Sequence, residues 1–338
     1  MAPLYLVRKI VGIGVIRPSF QQQNGSIRVL SQPTCQHRSG CSPALFAVGN
    51  PVDLLINPEA DLAEQEETIR RLGLDKPVHV QFGFFLAGLA QGDLGTSFVH
   101  NRPALELILS RLPATLELAF LGILIAVVLG IPLGMIAGLK PEAPYSKVIM
   151  AGSVVGFSTP NFWQGLMLIM LFAVFLGWLP AGGRGDTVDV LGIPVSFLTW
   201  DGLSHLILPA LNVAIYKMSL VIRLTRAGTA EVALQDYVKY ARARGLSPFR
   251  VVGVHVLKNI LIPVVTVLGL ETGNVIAFAV VTETVFSWPG IGKLLIDSIG
   301  LLDRPVVVAY LMLTVFLFVM INLVVDIGYS LLDPRVRV

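Results

Sequence analysis

Charge is what this sequence has least of. Of its 338 residues only 14% are Asp, Glu, Lys or Arg, where a soluble domain carries about 25%. Residues 148–183 contain no Asp, Glu, Lys, Arg or His, and neither do residues 305–325. A run of about 20 apolar residues is long enough to cross the hydrocarbon core as a helix, so the deficit excludes an ordinary soluble domain. Cysteine is nearly missing too. Cys35 and Cys41, with His37 between them, do not complete the four ligands of a tetrahedral zinc site, and no metal or other cofactor is expected. The five histidines are His37, His79, His100, His205 and His255. None sits mid-span beside a plausible nucleophile, as an intramembrane hydrolase requires. No G-x-x-x-x-G-K-[S/T] phosphate cradle is present. Gly290-Ile291-Gly292-Lys293 lacks that spacing and reads as a turn at the membrane surface. Neither an internal repeat nor a chain of buried carboxylates marks a proton-coupled carrier. The net charge of +3 gives no reason to expect nucleic acid.

What remains is apolar and segmented. The hydropathy pattern predicts an all-α integral membrane protein with five clear spans: Leu116–Leu139, Val148–Leu179, Leu203–Ile222, Ile260–Phe286 and Val306–Leu332. Lys and Arg accumulate in cytoplasmic loops. Residues 223–258 hold seven of them against two acids, whereas 179–203 holds one against three, and 50–110 holds four against nine. Loop 223–258 is therefore inside, with the short Lys140–Lys147 turn and the Arg335/Arg337 tail. Residues 50–112 form an extracytoplasmic domain, in which Leu62–Leu72 reads as a surface helix and Gly92-Asp93-Leu94-Gly95 as a turn. Residues 113–335 form the membrane domain.

Within loop 223–258, Asp236 is expected to cap a short helix that Gly245 stops in the left-handed conformation. Ser247-Pro248 then opens the next helix. Tyr237, Tyr240, Ala241 and Arg244 fall on one face at helical spacing. By spacing alone, the loop reads equally well as a basic segment lying on anionic headgroups.

The string Tyr237–Ser247 (YVKYARARGLS), followed by His255, Asn259 and Pro263, resembles the cytoplasmic coupling loop of the peptide-type ABC importer permeases. Gly92–Phe98, Arg102–Ile108, Arg111–Leu118, Glu283–Leu295 and Asn322–Arg335 resemble further motifs of the same family, in the same order. The resemblance covers residues 50–338, and the long outer domain is like that of the first of the two permease types that pair in such importers. It implies a polytopic bundle of the MetI-like type, normally with six spans, in a bacterial inner membrane. It also implies four kinds of partner: a second homologous permease, two ATP-binding subunits, an extracytoplasmic solute-binding protein and the lipid bilayer. The coupling element would be Asp236, Tyr237, Tyr240, Ala241, Arg242, Ala243, Arg244 and Gly245, with Arg242 and Arg244 meeting acidic groups on an ATPase. The expected solute is a di- or oligopeptide, with nickel chelates and glutathione as other cargoes of such importers.

Ionisable residues at membrane depth face protein or water. Glu117, Glu283 and Asp326 lie near span ends and read as anchors reaching the interface. Lys217 and Glu271 lie deeper, and either line a pathway or pair with each other. Asn161, Gln164, Asn274 and Asn322 are their neutral companions. The Ser158-Thr159-Pro160-Asn161 stretch is expected to break its span.

The N-terminal segment 1–49 carries a degenerate first span. Arg8 and Lys9 precede the apolar run Ile10–Ile16, which is too short to cross. Gly49-Asn50-Pro51 resembles the turn that follows the family's first span, and Leu6–Gly12 the start of that span. Between them, 13–47 is polar and acid-free yet nearly as long as the missing span. A genuine soluble insert would lengthen the chain rather than keep its register, so two compensating frame changes in the gene are the expected origin, and an open frame encoding Gln21–Cys41 as written would refute them.

Overall fold

The computed structural model describes residues 77–190 and 192–332. The two cysteines, the segment 13–47, the expected helix Leu62–Leu72 and the Arg335/Arg337 tail lie outside the described residues.

The described chain opens with α1 (Val78–Ala90). At about 1.5 Å per residue this apolar helix is too short to cross a bilayer. The turn after it is built as its residues dictate. Gly92 and Gly95 take φ of 80° and 90°, and the Asp93 carboxylate accepts the Gly95 N–H at 2.8 Å. The chain then docks on a residue 205 to 206 positions further along the sequence. The amide of Phe98 and the hydroxyl of Ser97 both donate to the buried Asp303 carboxylate.

The first long helix, α2 (Ala104–Leu139), has 36 residues. It begins well before the expected span at Leu116 and runs unbroken through residues 112 and 113. Pro113 and Pro132 lie inside it. Then come α3 (Pro144–Ser158) and α4 (Asn161–Leu168), which continues as a π-helical turn over Ile169–Phe175. A two-stranded hairpin, β1 (Val188–Val190) and β2 (Ile193–Val195), leads into α5 (Trp200–Val232).

The pairing of α2 with α5 sets the topology. Small residues on α2 let the two backbones approach closely, as is usual at membrane helix interfaces. A Cβ added at Gly122, Gly130, Gly134 or Gly138 would meet Val213, Val221, Thr225 or Thr229 at 2.6–2.9 Å. Each partner lies 91 residues further along the chain, so the two helices run parallel and in register. Parallel helices in one bundle require a return segment between them. The α3–α4 pair supplies it, bent by 108° at Thr159-Pro160 where the sequence predicts a break.

The loop after α5 and the remainder follow. Helix α6 (Asp236–Ala243) is followed by a Pro248–Arg250 turn and a second π-helical turn, Val251–Val256. These run into α7 (Leu257–Phe278), α8 (Val280–Val285), α9 (Ile291–Gly300) and α10 (Arg304–Leu332). α7 and α10 pack antiparallel, with Gly269 against Val325 and Gly273 against Phe318. The outward face of α10 exposes Leu311, Val315, Phe316, Val319 and Val324, as expected of a helix bordered by lipid.

Among the described residues, α2, α5 and the Arg304–Val325 part of α10 are single helices long and apolar enough to span. The other two expected spans are bent pairs, the second bending by 43° between Pro248–Leu261 and Pro263–Val275. The bundle of the sequence reading is therefore present, with its spans longer and less straight than hydropathy suggests.

Candidate functional site

Two places gather the polar residues that the sequence singles out: a cavity within the bundle and the short helix α6.

The cavity has a volume of about 420 Å³. Asn161, Lys217, Glu271 and Asn274 line it, joined by Tyr216 and Thr282. They come from four elements: α4 just after the break, the middle of α5, α7 and α8. Lys217 and Glu271 are hydrogen-bonded to one another, which is the pairing that one of the two readings expects, and both side chains face the cavity. The Asn274 amide lies 3.4 Å from the second Glu271 oxygen, and the Lys217 ammonium stands 5.4 Å from the Tyr216 ring centroid. Next to this pair is a neutral network. Asn212 donates to Asn161 at 2.7 Å and to Thr282 at 3.1 Å, and Asn161 donates to the same Thr282 hydroxyl at 3.2 Å. This network ties α4, α5 and α8 together at the point where α4 breaks away. Gln164 is not part of the wall. It is buried one turn further along α4, and its Oε1 has no hydrogen-bond partner among the described residues.

Asn212, Thr282 and Tyr216 are absent from the sequence reading. Asn212 carries a weak signal, since it follows Pro209 within an otherwise apolar run. Thr282 carries none that separates it from other threonines of apolar helices.

Two of the three span-end carboxylates, Glu283 and Glu117, are buried inside the protein rather than reaching outward. Glu283 is fully buried. It accepts from the Thr115 hydroxyl at 2.6 Å and from the Lys293 backbone N–H at 2.9 Å. The glycines of Gly290-Ile291-Gly292-Lys293 exist to admit it, because a Cβ at Gly290 would meet its Oε1 at 2.2 Å. Glu117 pairs with Arg184 at 3.1 Å and accepts the Ser196 N–H at 3.0 Å. Both carboxylates are internal fasteners whose hydrogen-bonded burial makes them tolerable. The Asp326 side chain lies outside the described residues.

Helix α6 is built differently from its sequence reading in two respects. Asp236 is the first residue of α6 rather than its cap, and the capping position falls to Gln235. The Asp236 carboxylate bonds instead to Lys239 at 3.0 Å. The face at Tyr237, Tyr240, Ala241 and Arg244 is not a single exposed stripe. Ala241 turns inward with Val238, and together they pack against Val251 and Val256. Tyr237, Tyr240, Arg242, Ala243 and Arg244 are exposed, and the Arg244 guanidinium lies 5.5 Å from the Tyr240 ring centroid.

The stop is as the sequence dictates. Gly245 has φ 76°. Its N–H donates to the Arg242 carbonyl, and that of Leu246 to the Ala241 carbonyl, which is a Schellman-type closure. The Ser247 hydroxyl accepts the Arg250 N–H at the start of the next turn. Outside the expected set, Leu234 is 71% exposed and Phe249 90% exposed, so apolar side chains flank the helix on both sides. Arg223, Arg226 and Glu231, expected in the loop, belong to the last turns of α5.

Residues 130–338 match the family of binding-protein-dependent transport system inner membrane components. The chain belongs to this family. It is 43% identical over 302 residues to the di/tripeptide transport system permease protein DppB of Pseudomonas aeruginosa (strain UCBPP-PA14), covering 86% of this chain and 90% of that protein. It is 41% identical over 295 residues to the oligopeptide transport system permease protein AppB of Bacillus subtilis (strain 168), with the same shares covered. In fold it is similar to a chain of the MetNI methionine ABC transporter solved in inward-facing conformations. That likeness has a TM-score of 0.55 at 16% identity, and covers 68% of this chain and 97% of the other. The helical importer-permease fold expected from the motifs is thus the fold present. The chain is a membrane permease of a binding-protein-dependent importer: a transport component of the inner membrane, working with a binding protein.

Proposed function

We propose that this permease carries short peptides, di- or oligopeptides, across the bacterial inner membrane. It has no ATPase of its own and is driven by ATP hydrolysis on two separate subunits. A second homologous permease completes the pathway, and an extracytoplasmic binding protein delivers the solute. The names of the relatives at 43% and 41% identity support the peptide assignment.

The observation that carries the mechanism is the mounting of α6. Its inner side is fixed by the Val238–Ala241 contact with Val251 and Val256. Its ends join a long helix, α5, and the turn that feeds α7. A short helix held in this way is a stiff lever, and displacement of α6 must be passed to both membrane helices. Its outer side offers Tyr237, Tyr240, Arg242, Arg244 and the neighbouring Phe249 to a partner. Exposed aromatic and Arg side chains are the types that dominate protein interfaces. ATP can drive the transition between inward-open and outward-open states only by binding one of them better, and α6 is where that preference enters the permease. The pathway runs through the cavity lined by Asn161, Lys217, Glu271 and Asn274. Gln164 belongs to its second layer.

The test is purification of the tagged chain with its co-expressed partners, followed by reconstitution in vesicles with binding protein. An ATPase subunit is expected to co-purify, and a dipeptide to enter only when ATP is present on the ATPase side. Uptake that proceeds without ATP along the solute gradient would make the chain a channel or carrier instead.

A further inference from the structure

Lys217 and Glu271 are the charged pair of the cavity, and their side chains are only 10% and 26% exposed. Stability does not explain them. A buried ion pair can be replaced by apolar residues of similar volume with little loss, and often with a gain. A charge at membrane depth is expensive and marks function by default. The surroundings suit a small solute. The cavity falls within the ~300–1,000 Å³ typical of ligand sites. Val213, Val275 and Ala279 form an apolar wall, and Asn161, Asn274, Tyr216 and Thr282 supply neutral hydrogen-bonding groups. One cation and one anion leave the empty cavity with no net charge.

We propose that Lys217 and Glu271 form a clasp for the two termini of a zwitterionic short peptide. This rests on the reading of the chain as a peptide permease, and assigns the site at which that permease recognises its solute. In the empty cavity each charge neutralises the other. When a peptide enters, the pair opens. The Lys217 ammonium takes the peptide carboxylate, and the Glu271 carboxylate takes the peptide ammonium, so one ion pair becomes two.

The exchange needs no proton and no accompanying ion, because cavity and solute are both neutral overall. The desolvation of Lys217 and Glu271 has already occurred on folding, so entry costs the desolvation of the peptide and the opening of the pair, which the two new ion pairs offset. An extended dipeptide separates its termini by about 7 Å. The flexible stems of Lys and Glu can open to that span, and the Tyr216 ring, 5.4 Å from the Lys217 ammonium, supports the cation as it swings. Blocking either terminus leaves one cavity charge without a partner, which is the costliest way to lose a buried contact.

The experiment uses the complete transporter, purified without its binding protein so that the permease alone selects. Cys35 and Cys41 are replaced by Ser and a reporter thiol is placed on the cavity wall by Ala279→Cys. Its alkylation rate is then measured against rising concentrations of Ala-Ala, N-acetyl-Ala-Ala and Ala-Ala-amide. Free Ala-Ala is expected to slow labelling, and each blocked peptide to need at least about tenfold more. Lys217→Met and Glu271→Gln should each abolish protection by Ala-Ala, and the exchanged pair Lys217→Glu with Glu271→Lys should restore it.

Equal protection by free and blocked peptides overturns the clasp, as does protection that survives both single substitutions. The comparison of peptides needs no substitution in the pair, so it decides even if those variants fail to assemble. Uptake of dipeptides by vesicles, with no discrimination at the cavity, would refute the clasp and leave the peptide reading standing. Uptake of no peptide at all would refute both.

Discussion

The carboxylate of Glu283, on α8, receives a hydroxyl from α2 and a backbone N–H from α9. In the sequence it is one acid at the end of an apolar run, and the interface-reaching role is the ordinary one for such a position. What the run cannot reveal is that Thr115, 168 residues away, points at it, or that Gly290 leaves room for it. Those facts depend on the tertiary path of the chain. Glu283→Ala should leave the Lys293 N–H without its acceptor and the Thr115 hydroxyl without one of its two partners. A buried group so abandoned costs about 1–3 kcal/mol. Thermal unfolding of the purified protein in detergent should show a clear fall in midpoint, with a smaller fall for Glu283→Gln. The Lys217–Glu271 pair was more legible, because two opposite charges at similar depth in neighbouring spans have few other partners. Asn212, by contrast, shows its importance only once Asn161 and Thr282 are brought beside it.

Helices were legible where their local chemistry is self-contained. Gly245 and Ser247-Pro248 fix the end of one short helix and the start of the next through contacts within a few residues, and both follow from sequence. The inward turn of Val238 and Ala241 does not, because it depends on the π-helical segment Val251–Val256 folding back against α6. Phe249 is illegible in the sequence for a related reason: its exposure follows from the path of the turn after Pro248. Tyr240→Ala and Phe249→Ala should each weaken retention of the ATPase subunits at least about tenfold, measured as the dissociation constant of the purified permease for its ATPase. Unchanged affinity in both would show that this face is not the contact.

The α2–α5 interface illustrates the opposite case. Glycines at 122, 130, 134 and 138 read as unremarkable members of an apolar run, and only the parallel partner explains their spacing. Gly134→Leu forces a side chain into Thr225 and the Ile222 carbonyl, whose present distances from a Cβ there are 2.6 and 2.8 Å. Overpacking of this kind costs about 1–3 kcal/mol. It should lower the unfolding midpoint, whereas Gly152→Leu, at a position with nothing within 4 Å, should leave the midpoint almost unchanged.

At the scale of the whole chain, charge asymmetry between loops predicts the orientation, and motif order was enough to name the family. The parallel pairing of α2 and α5 makes the bent α3–α4 segment the return path and places the cavity beside its break. Ligand sites of membrane transporters commonly sit at such discontinuities. The central claim is that work done by separate ATPase subunits enters this permease through α6 and reaches the cavity through α5 and α7. Gly245→Pro tests it most directly. Proline cannot adopt the positive φ of 76° found there or donate the hydrogen bond to the Arg242 carbonyl, and the rigid end of the lever is lost. The measurement is ATP-dependent dipeptide uptake by vesicles carrying the complete transporter, with ATP hydrolysis followed in parallel. The account predicts that Gly245→Pro inserts and assembles normally but loses most uptake, at least about tenfold, for the ATP it consumes. Uptake per ATP equal to that of the wild type would contradict it.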